Sequence, residues 1–364
     1  MTLTLGRLRT TLLAASLAAV GTAAAQGAST AGIAFVDANG NGVRDRNERG
    51  LAGVAVSNQD AVVTTDTSGA FRLPSGGYGI VFVSVPDGFR AVGPFWRSVG
   101  DSAVSLAFPL APVARTREFT FVHASDTHIA PATVERTRRL RVLVDSLAPA
   151  FVLITGDLVR DALRVAEPEA TGYYELFARE TSAFRAPVWT VPGNHEIFGI
   201  ERHVSLVSPK HPLYGRRMYR RYRGPDYYSF TYGGVHFVGL NTVDVDDLWY
   251  YGHVDSLQLA WLERDLALVP SDMPVVTFDH IPFVSTIEGL NGYRDEPPAP
   301  TLITVKRRTV FRHTVSNAAE VLAVLRKRRH ALALGGHFHA GERLEYEIDD
   351  GRFVPLGAVE RRTP

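Results

Sequence analysis

Five short apolar runs punctuate the larger, C-terminal part of the chain, and each stops abruptly at polar residues: FTFVHASDTH, FVLITGD, PVWTVPGNHE, PVVTFDH and HALALGGHFH. A brief run rich in β-branched and aromatic residues, bounded by Gly, Pro or Asp, predicts a buried strand. Between these runs the apolar period lengthens to that of a helix. Val134 to Leu147 carries Leu140, Leu143, Val144 and Leu147, which predicts a helix covering a sheet. Asp255 and Gln258 have the capping-box spacing for a helix bearing Leu257, Trp261, Leu262 and Leu266. Asn317 with Glu320 predicts another, running to about Arg329. Strands alternating with helices imply α/β layers.

From Gln26 to Pro112 the pattern differs. Short runs such as GVAVSN, AFRLP and IVFVSVP lie among Gly and turn residues, and the segment reads as a small all-β sandwich. FPLAPVARTRE, from Phe108 to Glu118, is the expected linker to a second domain at residues 113–364. Residues 37–48 fit the twelve-position calcium-loop pattern. Asp37, Asn39, Asn41, Asp45 and Glu48 offer side-chain oxygens, Val43 a carbonyl, and Gly42 the sharp turn. The flanks read as strands, so this is no EF-hand, and an ion-free Asp/Asn/Gly turn is the alternative.

Ahead of both, residues 1–25 combine Arg7 and Arg9, an apolar stretch from Leu12 to Val20, and Ala23-Ala24-Ala25. This is the pattern of a secretory signal peptide cleaved after Ala25. The stretch is too short to span a bilayer, and no later segment is long and apolar enough. A soluble periplasmic or secreted protein is the expectation, and a chain without cysteine needs no disulfides there.

The five predicted strands end on Asp126-x-His128, Gly156-Asp157, Gly193-Asn194-His195-Glu196, His280 and Gly336-His337-Phe338-His339. Open α/β sheets build their sites outside the carboxyl ends of the strands, so these residues can converge. Oxygen and imidazole donors suit divalent Mn, Fe, Zn or Ni, and the lack of cysteine excludes thiolate ligation. Two ions about 3.5 to 4 Å apart need a bridging carboxylate, for which Asp157 is the candidate.

The order D-x-H, G-D, G-N-H-[DE], lone H, G-H-x-H resembles that of the calcineurin-like metallophosphoesterases from about Phe119 to about Leu344. The resemblance implies a four-layer αββα fold, with two facing mixed sheets flanked by helices. It implies one metal on Asp126, His128, Asp157 and His339, and a second on Asp157, Asn194, His280 and His337. It further implies a metal-bridging hydroxide attacking phosphorus in line, with His195 protonating the leaving oxygen. Glu196 would orient or tune that imidazole. The loop at 37–48 resembles those of calcium-stabilised β modules, and a β domain precedes the phosphoesterase in some exported members.

Charge adds little. With 39 Lys and Arg against 38 Asp and Glu, the net charge of +1 argues against bulk attraction to nucleic acid or membranes. Arg216, Arg217, Arg220, Arg221 and Arg223, among tyrosines, read first as a solvated face and second as a subsite for another phosphate. The insertion from Glu288 to Lys306, with Pro297, Pro298 and Pro300, is a candidate lid or specificity wall. His123, His236 and His253 read as packed or surface residues, and His203, His211, His313 and His330 have no motif around them. The expected function is hydrolysis of a small phosphate ester, as phosphatase or phosphodiesterase. A non-catalytic periplasmic or surface binding protein on the same scaffold is the alternative.

Overall fold

The computed structural model describes residues 29–99, 105–296, 300–349 and 352–355. The predicted signal peptide and its cleavage point, with Pro297 and Pro298, lie outside them. The N-terminal strands form two four-stranded sheets. One is built around Thr30–Val36 and Leu106–Pro112, which run parallel; the other around Ala55–Ser57 and Ile80–Val83.

The C-terminal part is built on two main sheets, with two-stranded hairpins beside them. Val122–Ala124, Val152–Thr155 and Val188–Val191 are parallel, with Val152–Thr155 in the centre. The alternation of a strand appears here directly: Val152 and Ile154 pack on the helices Val134–Leu147 and Glu167–Ser182, while Phe151 and Leu153 pack toward the second sheet. That second sheet orders Tyr228–Tyr232, Val235–Gly239, Pro274–Phe278 and Arg329–Leu334, antiparallel at its first pair and parallel thereafter. Helices Ser256–Ala267 and Ala318–Leu325 join the same core through Trp261, Leu262, Leu266, Val321, Leu322 and Leu325. The arrangement is the αββα layering expected, preceded by a β sandwich.

Three local expectations need correction. Leu143 and Leu147 are 62% and 65% exposed, so the first helix buries Val144 and Thr137 instead of the predicted stripe; Leu257 is exposed likewise. The helix after Asn317 ends at Leu325, and Asn317 does not cap it: its amide is spent on the Val254 backbone in both directions. Asp255 does cap its helix, accepting the Gln258 N–H at 2.9 Å.

The arginine-rich segment forms the helix Arg216–Arg223, which exposes Arg217 and Arg221, as a solvated face would, and ties Arg216 and Arg220 into the protein interior, where carboxylates and not a phosphate pair with them. Arg216 pairs with Asp244 and Asp255, and Arg220 grips Asp226 through two 2.9 Å bonds while lying 3.5 Å over the Tyr78 ring. Gln59 from the β sandwich donates to the same Asp226 and to the Tyr227 carbonyl, and Ser84 meets Ser229 at 2.9 Å. With Phe82 against Tyr228 and Trp261, this polar seam sits inside one continuous apolar core that spans the sandwich and the C-terminal part. The Lys306-Arg307 pair forms the exposed turn of the hairpin Leu302–Val305 to Arg308–Phe311, both in the left-handed region.

Candidate metal centre

The polar residues that end the five parallel strands meet at one edge of the two sheets. Asp126 Oδ1 lies 3.1 Å from His339 Nε2 and 3.8 Å from His128 Nε2, and those two imidazole nitrogens are 3.1 Å apart. Asp157 Oδ2 is 3.6 Å from His128 Nε2 on that side and 3.3 Å from His280 Nε2 on the other. His280 Nε2 is also 3.1 Å from Asn194 Oδ1 and 3.2 Å from His337 Nδ1. Two groups of donors therefore converge, Asp126, His128, Asp157, His339 and Asp157, His280, His337, sharing Asp157. All seven residues singled out from the sequence are brought together.

The backbone is bent to achieve this. Asp126, His128, Asp157, His337 and His339 all have positive φ, between 40° and 75°, a region that side chains with a Cβ rarely enter. They are five of the eleven such non-glycine residues among those described, and strain of this kind gathers where function requires it. The glycines of the motifs serve close approach: a Cβ on Gly193 would lie 2.3 Å from Asp157 Oδ1, and one on Gly336 would lie 1.9 Å from Ser125 Oγ.

The donor set fits divalent ions. Asp126 Oδ1 is buried and accepts no hydrogen bond, a costly state unless a cation faces it. Oxygen and imidazole donors alone match Mn, Fe, Zn or Ni. Burial works to raise the Asp157 carboxyl, yet His280 and His195 hold it well below its ordinary range. Burial correspondingly lowers His280, but the Asp157 charge outweighs it and lifts the imidazole to about 9. Burial, with His280 and His313 beside it, keeps His337 neutral.

His195 stands at the rim. Its Nδ1 is 2.6 Å from the Arg160 carbonyl, which requires Nδ1–H, and its Nε2 points inward, 3.8 Å from Asp157 Oδ2. Its own backbone N–H donates to Asp157 Oδ1. Glu196 does not orient this imidazole, contrary to expectation. Its buried carboxylate accepts the Val159 and Gly193 backbone N–H groups at 3.0 and 2.6 Å, bracing the turn that carries Asn194 and His195. Burial first, and Asp157 second, raise it to about 8.

Beyond the donors opens a cavity of about 490 Å3, walled by Tyr250, Glu288, Asn291, Arg294, Thr301 and Phe338. The insertion supplies four of these, so it forms a wall of the site. His313, without a motif in the sequence, lies against His337 at 2.5 Å. No sequence signal marks it, because it reaches the site from a hairpin remote from the strand ends. Several other histidines have structural partners: His236 with Asp265, His253 with Asp244, His330 with Thr277.

In the sandwich, Asp37 accepts the N–H groups of Gly40, Asn41 and Gly42, Asn39 and Asn41 both donate to Asp45, and Glu48 accepts from Ala38 and Asp45. The loop is thus closed by its own bonds, and the carboxylates of Asp37, Asp45 and Glu48 are not among the convergent groups found in the described residues.

The sequence pattern of the family described as calcineurin-like phosphoesterase matches residues 119–341, which span every one of these strand-end residues. The chain belongs to this family. Residues 38–98 match the family's separate N-terminal domain, which places the β sandwich within the same architecture. The phosphoesterase is 24% identical over 250 residues to a 3',5'-cyclic adenosine monophosphate phosphodiesterase of Escherichia coli, covering 64% of this chain and 73% of that protein. It is 25% identical over 217 residues to a 3',5'-cyclic-nucleotide phosphodiesterase of Nostoc, covering 59% of this chain and 63% of the relative. Among solved structures, a dimetal phosphatase from Danio rerio aligns with a TM-score of 0.41 and 18% identity, covering 64% of this chain and 84% of that one. No helix among the described residues is long and apolar enough to cross a membrane.

Proposed function

We propose that this phosphoesterase is an exported dimetal hydrolase of small phosphodiesters. The observation that carries the reading is Asp157, shared by two clusters of donors at the mouth of a cavity large enough for an ester group on each side of phosphorus. The named activities of the Escherichia coli and Nostoc relatives support a diester over a monoester.

Asp126, His128, Asp157 and His339 would hold one ion, and Asp157, Asn194, His280 and His337 the other. Divalent ions bound there lower the pKa of water and neutralise charge on the phosphoryl oxygens. His195, anchored through Nδ1, presents Nε2 to the site and in its protonated form delivers the proton to the leaving oxygen. Glu196 keeps the loop of Asn194 and His195 in place.

The test is metal content of the purified protein together with turnover of bis(p-nitrophenyl) phosphate and p-nitrophenyl phosphate, with and without Mn. Two ions per chain and preferred diester cleavage are expected; two bound ions with no turnover of either ester would favour a binding protein. His195→Ala should keep both ions and slow alkyl diesters by about 10²–10⁴-fold while largely sparing activated aryl esters. Equal loss on both would remove the proton-donor role.

Export belongs to the same proposal and rests on the pattern of residues 1–25; N-terminal sequencing of protein recovered from fractionated bacteria should begin at Gln26. A calcium ion in the 37–48 loop is the remaining part. Calcium should raise the melting temperature of chelated protein, and Asp37→Ala should abolish that rise; no calcium-dependent shift would leave the loop as the self-bonded turn described above.

A further inference from the structure

His313 occupies the nitrogen of His337 that faces away from the donor cluster. The two rings meet edge to edge, with centroids 4.8 Å apart and 23° between their planes, and His313 Nδ1 lies 2.5 Å from His337 Nε2. With Nδ1 taken up by His337, the other ring nitrogen of His313, Nε2, lies 4.0 Å from Glu288 Oε1. Glu288 is buried, and its Oε2 has no hydrogen-bond partner.

His337 Nδ1 is the nitrogen beside His280 Nε2, at 3.2 Å, in the cluster with Asp157, so it is the atom that must be unprotonated to bind an ion. The neutral ring then carries its proton on Nε2 and donates it to His313 Nδ1, which places the proton of His313 on Nε2, the nitrogen on the side of Glu288. The segment is held rigidly: the Val315 N–H donates to the Pro282 carbonyl, Ser316 N–H to Gly252, and the Arg312 guanidinium sits 4.2 Å over the Tyr250 ring.

We propose that His313 is a positioning residue that fixes His337 as an Nδ1 donor and thereby sets the affinity of one of the two metal positions. The inference rests on the dimetal reading of Asp157. Partners of this kind hold ring orientation and tautomer, and their removal weakens metal binding by about 10–100-fold.

The experiment is calorimetric titration of metal-free protein with Mn, comparing wild type with His313→Ala, His313→Asn and His313→Gln. Asparagine places its carbonyl oxygen near the position of Nδ1, whereas glutamine reaches toward that of Nε2. Wild type should bind two ions. His313→Ala should weaken one of them by about 10–100-fold and leave the other unchanged. His313→Asn should restore it to within about threefold, and His313→Gln should not. Two-site binding in His313→Ala equal to wild type would overturn the proposal. So would equal weakening of both sites, or a failure of asparagine to rescue in protein whose melting temperature is unchanged. A wild-type protein that binds no Mn would instead overturn the dimetal reading itself, which separates the two failures. Should His313→Ala not fold, the contrast between asparagine and glutamine decides alone: rescue confined to asparagine supports the proposal, and identical binding by both overturns it.

Discussion

Asp157→Asn is expected to empty both metal positions and lower diester hydrolysis by about 10⁴-fold or more, since the activated nucleophile and the charge neutralisation are lost together. The geometry gives the reason. Asp157 Oδ2 lies within 3.6 Å of both His128 and His280, and Oδ1 holds the His195 backbone N–H. An amide in that place puts an NH2 group or a neutral oxygen where a charge is needed by both clusters. Its effect should exceed that of Asp126→Asn, which touches one cluster only. Elemental analysis of the variant checks the first half and turnover the second. Two ions retained at full occupancy would mean that Asp157 is not the shared ligand.

The second large effect is expected far from the site. Asp226→Ala should destabilise the protein by about 3–5 kcal/mol, because it strands Arg220, and in part Arg216, without their counter-charge in a dry interface. Asp226 also accepts from Gln59 and Asn241, so the loss loosens the sandwich from the catalytic part as well as an ion pair. Urea denaturation measures it, and a change below about 1 kcal/mol, the value of a surface pair, would show that the seam does not hold the two parts together. Replacing Asp226 and Arg220 jointly by Leu and Met should cost much less than the single change.

The same pair carries a pH signature. Burial pushes the Asp226 carboxyl up, but Arg220, by charge and hydrogen bond, and then Arg216 bring it below its ordinary value of 3.8. A carboxyl lowered in the folded state contributes stability that is complete above its ordinary value and is lost as pH falls through the folded one. Wild type should therefore lose stability on acidification below that range more steeply than Asp226→Asn, and parallel slopes in urea melts would contradict the assignment.

Much of the candidate site was legible in the chain because the relevant physics is local. A buried strand needs an apolar run, and a ligand at its tip must follow that run directly, so FVLITGD or HALALGGHFH discloses both at once. The glycines in these motifs are explained in the same way, by the space a neighbouring ligand takes. The three predicted helices were legible to within about a turn, Glu167–Ser182 was not among them, and the faces the helices bury were not legible. Leu143 and Leu147 fit a helical stripe yet stay exposed, because the direction of the sheet beneath, and not the spacing, selects the buried face. The same limit explains Glu196: adjacency to His195 along the chain predicted contact, but the turn directs its carboxylate into the Val159 and Gly193 backbone.

What the linear order of residues disclosed is the class of chemistry and the candidate donors for it, since residue type and strand-end position follow from short-range pattern. Three features came from the packing of distant segments. The arginine helix became an internal clamp when Asp226, Asp244 and Tyr78 closed around it. The sandwich and catalytic part acquired one core. His313, 24 residues from His337, became its partner. Each depends on contacts whose sequence separation no periodicity encodes, and on burial, which turns an ordinary charge or imidazole into one that must be paired.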